Sequence, residues 1–176
     1  MIKGEKTGIR AVERDDLQLL RDWRNIASFR RNFREVNELN MLNQEIWFEN
    51  VTKSANDFMF VICDLKTSQP IGACGLLYIN WIIRSADFSF YIGENESYID
   101  NNGYAQDSAK LLIEYGFKNL NLNKIWMELY EFDTEKINFF TKEFNFKKEA
   151  ELRDNCYEEG RYWNSFIISL LRNEYK

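Results

Sequence analysis

The sequence predicts an α/β (α+β) domain, a mixed sheet of about seven strands with helices on both faces. Three observations carry that expectation. The elements run in the order β-α-α-β-β-β-α-β-α-β-β. Across residues 85–93, Phe88, Phe90 and Ile92 alternate with Asp87, Ser89 and Tyr91, the two-residue period of a strand with two different faces. The middle third reads strand, loop, helix, strand, a βαβ unit that needs a right-handed crossover.

Each element has a local reason. Residues 9–12 form a short first strand. Asp15 and Asp16 then place carboxylates at the positive end of a helix, in which Leu17, Leu20, Trp23 and Arg24 follow at helical spacing. That helix fades near residues 30–33, and 32–41 are polar and irregular. A second helix over 43–53 carries Ile46, Trp47 and Val51. Strands follow at 57–64, 70–79 and 85–93, separated by turns at Thr67-Ser68 and at 80–84. A polar loop over 94–102 leads to Gly103 and a strong helix, with Ala105, Ala109, Leu112, Ile113 and Phe117 on its buried face. Residues 124–132 form a strand. Asp133 can N-cap the next helix, where Ile137 and Phe140 recur at helical spacing. Two strands, 146–152 and 162–171, close the chain. Their link contains Asn155 and Glu159-Gly160, which suit a loop or turn. No Pro-, Gly- or Ser-rich linker interrupts this order, so residues 1–176 read as one domain.

Composition narrows the chemistry. The chain has no histidine, which excludes Ser-His-Asp and Cys-His relays and the usual His-based metal sites. A general base must then be Asp, Glu, a water they hold, or a perturbed Lys, Cys or Tyr. A net charge of −5 argues against a nucleic-acid surface. Cys63, Cys74 and Cys156 have no C-x-x-C spacing, and a reducing, cytoplasmic compartment suits them. No apolar run is long enough for a bilayer, and the first residues carry no secretory pattern.

The best local candidate for a site is the strand over 85–93, its loop and the helix after Gly103. Glycine permits positive φ and close backbone approach. The first amides of a helix are unpaired and can receive a phosphate. The run Asp100-Asn101-Asn102-Gly103-Tyr104-Ala105 resembles the pyrophosphate loop, [QR]-x-x-G-x-[GA], of the GNAT superfamily of N-acetyltransferases. Ile9-Arg10 and residues 19–25 are similar to the first strand and helix of the branch that holds ribosomal-protein alanine and spermidine acetyltransferases. Phe33-Arg34-Glu35 with Glu38-Leu39 resembles that branch's acceptor loop. Ile71-Gly72, Gly75, Asn80 and residues 84–88 resemble its third and fourth strands. Asp133, Ile137, Phe140, Lys142 and Asn145-Phe146 resemble its motif N-x-x-x-I-x-L-Y-x-K-x-G-F. Residues 151–153 and 160–162 complete the match.

The resemblance implies a sheet splayed between its fourth and fifth strands, with acetyl-CoA entering the splay and no metal. The pantetheine would bond to backbone around Phe90, Tyr91 and Ile92, and an N–H near Tyr91 would polarise the carbonyl. The pyrophosphate would sit on amides of Asn102, Gly103, Tyr104 and Ala105. Asp133, Ile137 and Phe140 would line the same channel. A primary amine, on a small molecule or a peptide, would approach past Arg31, Phe33, Arg34 and Glu35 and attack the thioester directly. Trp81 is a further candidate for acceptor contact. Asp87 and Glu128, flanking the splay, are the candidate proton acceptors. The charges leave the acceptor open among a protein N-terminus, a polyamine, an amino sugar and an aminoglycoside, and leave open whether the chain forms a homodimer. The chain departs from the family pattern at three places. Phe140 or Thr141 stands at the position of the usual tyrosine acid, Asp133 replaces an asparagine, and Asp100 replaces a glutamine or arginine. A second reading therefore stands beside the first, a relative that binds an acyl-CoA or a partner without turnover.

Overall fold

The computed structural model describes residues 1–175. Its strands are β1 (Ile2–Lys3), β2 (Thr7–Ala11), β3 (Phe58–Asp64), β4 (Pro70–Asn80), β5 (Ser85–Ile92), β6 (Lys124–Tyr130), β7 (Lys147–Glu158) and β8 (Arg161–Leu171). They form one sheet in the order β1-β2-β3-β4-β5-β6-β8-β7. The helices are α1 (Leu17–Asn25), α2 (Ala27–Arg30), α3 (Met41–Lys53), α4 (Tyr104–Glu114) and α5 (Thr134–Glu143). The eighth strand, beyond the expected seven, is β1. It pairs only Ile2 with Ile9 and Lys3 with Gly8, too short a run for any period to show. The parting expected between the fourth and fifth strands is therefore that of β5 and β6.

That junction departs from the rest of the sheet. Every other pair is antiparallel, but β5 and β6 run parallel and pair only at Ser85–Lys124, Ala86–Ile125 and Asp87–Trp126. Beyond Asp87, β5 continues to Ile92 along β4 alone. β6 meanwhile follows β8 as far as Tyr130. The two strands leave a V-shaped gap.

Alternation on β5 assigns the two faces. Tyr91 meets Trp23, Phe29 and Phe33 edge-on, so α1 and α2 cover that face. Phe88 and Phe90 meet Phe140 of α5. Phe60, in register with Cys74 and thence Phe90, meets Tyr115 just after α4. Helices α4 and α5 thus share the opposite face. Burial of these aromatic and aliphatic side chains is the main driving term.

The final hairpin differs from expectation. β7 extends to Glu158, and its register shifts between Leu152 and Cys156. Asn155 therefore lies in the strand and not in a linking loop. The turn itself is Glu159-Gly160, both at positive φ (53° and 80°), the backbone that a two-residue hairpin turn demands. No helix among the described residues is long and apolar enough to cross a membrane.

Candidate active site

The gap between β5 and β6 opens into a cleft of ≈ 790 Å³. Residues 88–91 form one wall and residues 127–129 the other, while Arg24, residues 32–35 and Lys136 close it. A groove of this size between parted strands suits a ligand that threads the sheet.

Arg34 ties the two candidate bases together. Its Nη2 donates to Asp87 Oδ2 at 2.6 Å, and its Nε stands 3.7 Å from Glu128 Oε2. Glu128 Oε1 also accepts from Asn155 Nδ2 at 2.6 Å and from Ser165 Oγ at 2.7 Å. Asp87 is buried, and burial pushes its carboxyl above the ordinary carboxylate range against the pull of Arg34. A carboxyl so poised accepts a proton more readily than one in water.

The free backbone on β5 is narrower than the expected stretch Phe90–Ile92. Ile92 exchanges both of its hydrogen bonds with Tyr98, at 2.9 Å each. Antiparallel ladders alternate, so Tyr91, opposite Ala73, bonds back to β4, and Phe90 presents its N–H and C=O to the gap. Phe90 is the residue whose backbone fits an amide-rich ligand strip.

The loop before α4 folds as its glycine requires. Gly103 takes φ 86° and ψ 11°, left-handed values that cost most other residues about 1 kcal/mol or more. Asp100, however, turns inward. Its carboxylate accepts from the amides of Asn102 (2.6 Å), Tyr104 (3.1 Å) and Ala105 (2.5 Å). Lys6 Nζ donates to the Asn102 carbonyl at 2.6 Å. An internal anion thus occupies the amides expected to meet a pyrophosphate. Phosphate could sit there only after Asp100 swings away, and two negative groups cannot share the amides.

The first turn of α5 carries the expected cap, Asp133, and one residue that the sequence does not single out, Lys136. Asp133 is buried and caps the helix, its Oδ1 accepting from the Lys136 amide at 3.2 Å. Its Oδ2 accepts from the Tyr98 hydroxyl at 2.6 Å. Lys136 is 5% exposed. Its Nζ lies 4.3 Å from the Tyr98 ring centre and 5.8 Å from that of Phe33. Burial pushes the ammonium down to about 8, with Asp133 opposing and Arg24 assisting. Arg24, stacked 3.9 Å over Phe33, is likewise lowered by burial. The available signal for Lys136 was its place four residues before Phe140, on the apolar stripe of the helix. Ile137 packs at the core margin, and Phe140 is fully buried among Phe88, Phe90, Phe139, Phe144 and Phe146.

The acceptor-side candidates divide. Phe33, Arg34 and Glu35 line the cleft. Arg31 does not; it pairs with Glu158 and Glu159 at 3.5 and 3.3 Å and stacks 4.7 Å over Phe132. Trp81 sits at the turn after β4, donating to Asn56 at 2.9 Å, away from the cleft lining. Among the described residues no cluster of Cys, Asp and Glu has a metal-holding arrangement.

Residues 6–142 match the family model described as acetyltransferase (GNAT) domain. An uncharacterised N-acetyltransferase, p20, of Bacillus licheniformis is 30% identical over 143 residues, 81% of this chain and 77% of that one. Spermidine N(1)-acetyltransferase of Escherichia coli K12 is 27% identical over 168 residues, 95% of this chain and 87% of that one. Among solved structures, spermidine N-acetyltransferase from Vibrio cholerae in complex with CoA and spermine superposes with a TM-score of 0.87 at 24% identity, covering 97% of this chain and 98% of that one. A dodecameric structure of the Vibrio cholerae enzyme gives 0.80 at 22%, covering 96% and 95%. With its strands parted at β5 and β6 and its family model spanning most of its length, this chain belongs to the GNAT acetyltransferase family.

Proposed function

We propose that residues 1–176 act as one unit that transfers an acetyl group from acetyl-CoA to a primary amine by direct attack. The observation that carries this reading is the Arg34-bridged pair of Asp87 and Glu128 at the point where β5 and β6 part. The amine must be neutral to attack, and its proton needs an acceptor in the cleft. Asp87 is that acceptor, and Arg34 holds it in place. Glu128 orients Arg34 and is itself anchored by Asn155 and Ser165. The Phe90 N–H and C=O hold the amide-bearing arm of the thioester in line, which converts the attack into a positioned, unimolecular step.

The acceptor enters past Phe33, Arg34 and Glu35. A polyamine is the first class to try, because relatives covering 95% of this chain carry that activity in their names. Two further expectations belong to this reading. The unpaired cysteines fit the reducing cytoplasm, and self-association fits the dodecamer formed by the Vibrio cholerae protein.

The test is thiol release from acetyl-CoA with spermidine, an N-terminal peptide, an amino sugar and an aminoglycoside. Amine-dependent release supports the reading. A melting shift with acetyl-CoA but no release with any amine favours the silent relative, which Asp100 on the loop amides and the missing helix hydroxyl already recommend.

A further inference from the structure

Acyl transfer moves two protons. One leaves the attacking amine, and one must reach the sulfur as the C–S bond breaks. The family pattern supplies the second from a tyrosine on α5. Here Phe140 fills one candidate position and lies wholly inside a cluster of phenylalanines. Thr141, the other, donates its hydroxyl to the Ile137 carbonyl at 2.7 Å. Neither can give up a proton.

Lys136 sits on the same helix, one turn nearer its start. α5 covers the Phe88–Phe90 face of β5, whereas Phe33 and Arg24 lie on the Tyr91 face. Yet Lys136 Nζ reaches within 5.8 Å of the Phe33 ring centre and lines the cleft. Its side chain therefore reaches from the α5 face into the gap between β5 and β6. The ammonium touches aromatic faces, and among the described residues it forms no salt bridge. A buried cation with no carboxylate in salt-bridge reach is costly unless a ligand completes it.

We propose that Lys136 is the catalytic acid of this enzyme, donating its proton to the departing CoA thiolate. The inference rests on the acetyl-transfer reading above. In that step the amine nitrogen forms a bond to the carbonyl carbon and the C–S electron pair passes to sulfur. The Lys136 ammonium protonates that sulfur to the free thiol, while Asp87 takes the proton from nitrogen. Solvent then restores both groups.

The surroundings suit the task. Groups facing the ammonium are Asp133 and Glu135 on α5, Arg24 on α1, Asp87 on β5 and the Tyr98 ring. Burial outweighs the carboxylates and brings the ammonium to about 8. That is close to the range of a thiol, where proton transfer to sulfur is most efficient.

The experiment compares wild type, Lys136→Met and Lys136→Arg, with acetyl-CoA and spermidine as probes. Melting shifts with acetyl-CoA check that each variant folds and binds. Lys136→Met is expected to lose about 100-fold or more in kcat while its shift with acetyl-CoA persists. The wild-type rate is expected to fall above pH 8, and neither variant to show that decline. Lys136→Arg keeps the charge and is expected to stay as slow as Lys136→Met. Full activity in Lys136→Arg overturns the proton-donor role in favour of charge alone. Activity within a few-fold of wild type in Lys136→Met overturns any role in turnover. Wild type that releases no thiol with spermidine or the other amines overturns the acetyl-transfer reading and this one together.

Discussion

Asp87 and Arg34 stand 53 residues apart in the chain and meet at 2.6 Å, an aspartate on β5 held by an arginine from the irregular segment after α2. The pair closes the segment after α2 onto the sheet. Arg34→Met leaves a buried carboxylate without its cation, and the Asp87 carboxyl rises further. The expected loss is about 2 kcal/mol, less than for a fully buried pair because Arg34 is half in solvent. Urea unfolding of the two proteins at neutral pH measures it.

Asp87 and Glu128 separate by role. Asp87→Asn removes the proposed proton acceptor and should lower kcat by about 100-fold. Glu128→Gln removes only one side of the Arg34 clamp and should cost about tenfold or less. The rate should rise with pH through the Asp87 ionisation, which lies above the ordinary carboxylate range because of burial. A pH profile of kcat/KM for each variant decides the order; equal losses would undo this division.

Asp100 both caps α4 and blocks its amides. Asp100→Ser should lower the stability of the free protein by about 1 kcal/mol, the usual cost of a weakened cap. It should also tighten CoA by about tenfold, since the ligand no longer displaces a carboxylate. The opposite signs make the result easy to read: calorimetric titration gives the second and thermal melting the first. Weaker CoA binding in the variant would show that Asp100 supports the ligand.

Lys136 gives stability a particular pH dependence. Its ammonium ionises near 8 when folded and near 10.5 when unfolded, so the unfolded chain binds more protons between these values. Stability from this group is therefore greatest above pH 10.5 and falls as pH drops through 8. Below that, the buried charge costs about 3 kcal/mol. The stability of Lys136→Met minus that of wild type should be largest at pH 7 and shrink toward pH 10. Denaturant curves across that range test it.

Much of this architecture was legible because it rests on short-range patterns. The alternation on β5, the Asp133 cap and the left-handed Gly103 each follow from a residue and its immediate neighbours. The parting of β5 and β6 came through family resemblance, since no local pattern marks a strand that stops pairing on one side. β1 escaped notice because two residues have no period. Asn155 reads as loop because a register shift in β7 hides within a polar stretch. Side-chain partners were the least legible. Asp100 stands out in the sequence as a departure from the family's glutamine or arginine, but its three bonds to loop amides depend on the folded turn. The sequence places Arg34 at the acceptor side, and its closest partner, Asp87, lies on another element far along the chain. Lys136 draws no reading from the sequence, because the gap it reaches into is made by strands far from it in the chain.

The three-residue pairing between β5 and β6 is also a mechanical matter. It joins a half-sheet of five strands to one of three, and it is far shorter than the ladders that flank it on either side. A ligand lying in the gap acts as a rivet across that seam. Unliganded chains would part there first, exposing Phe88 and Phe90 to proteases and to other chains. The lifetime of the protein in a cell would then follow the supply of its own co-substrate, so that a shortage of acetyl donors shortens the life of the molecule that spends them.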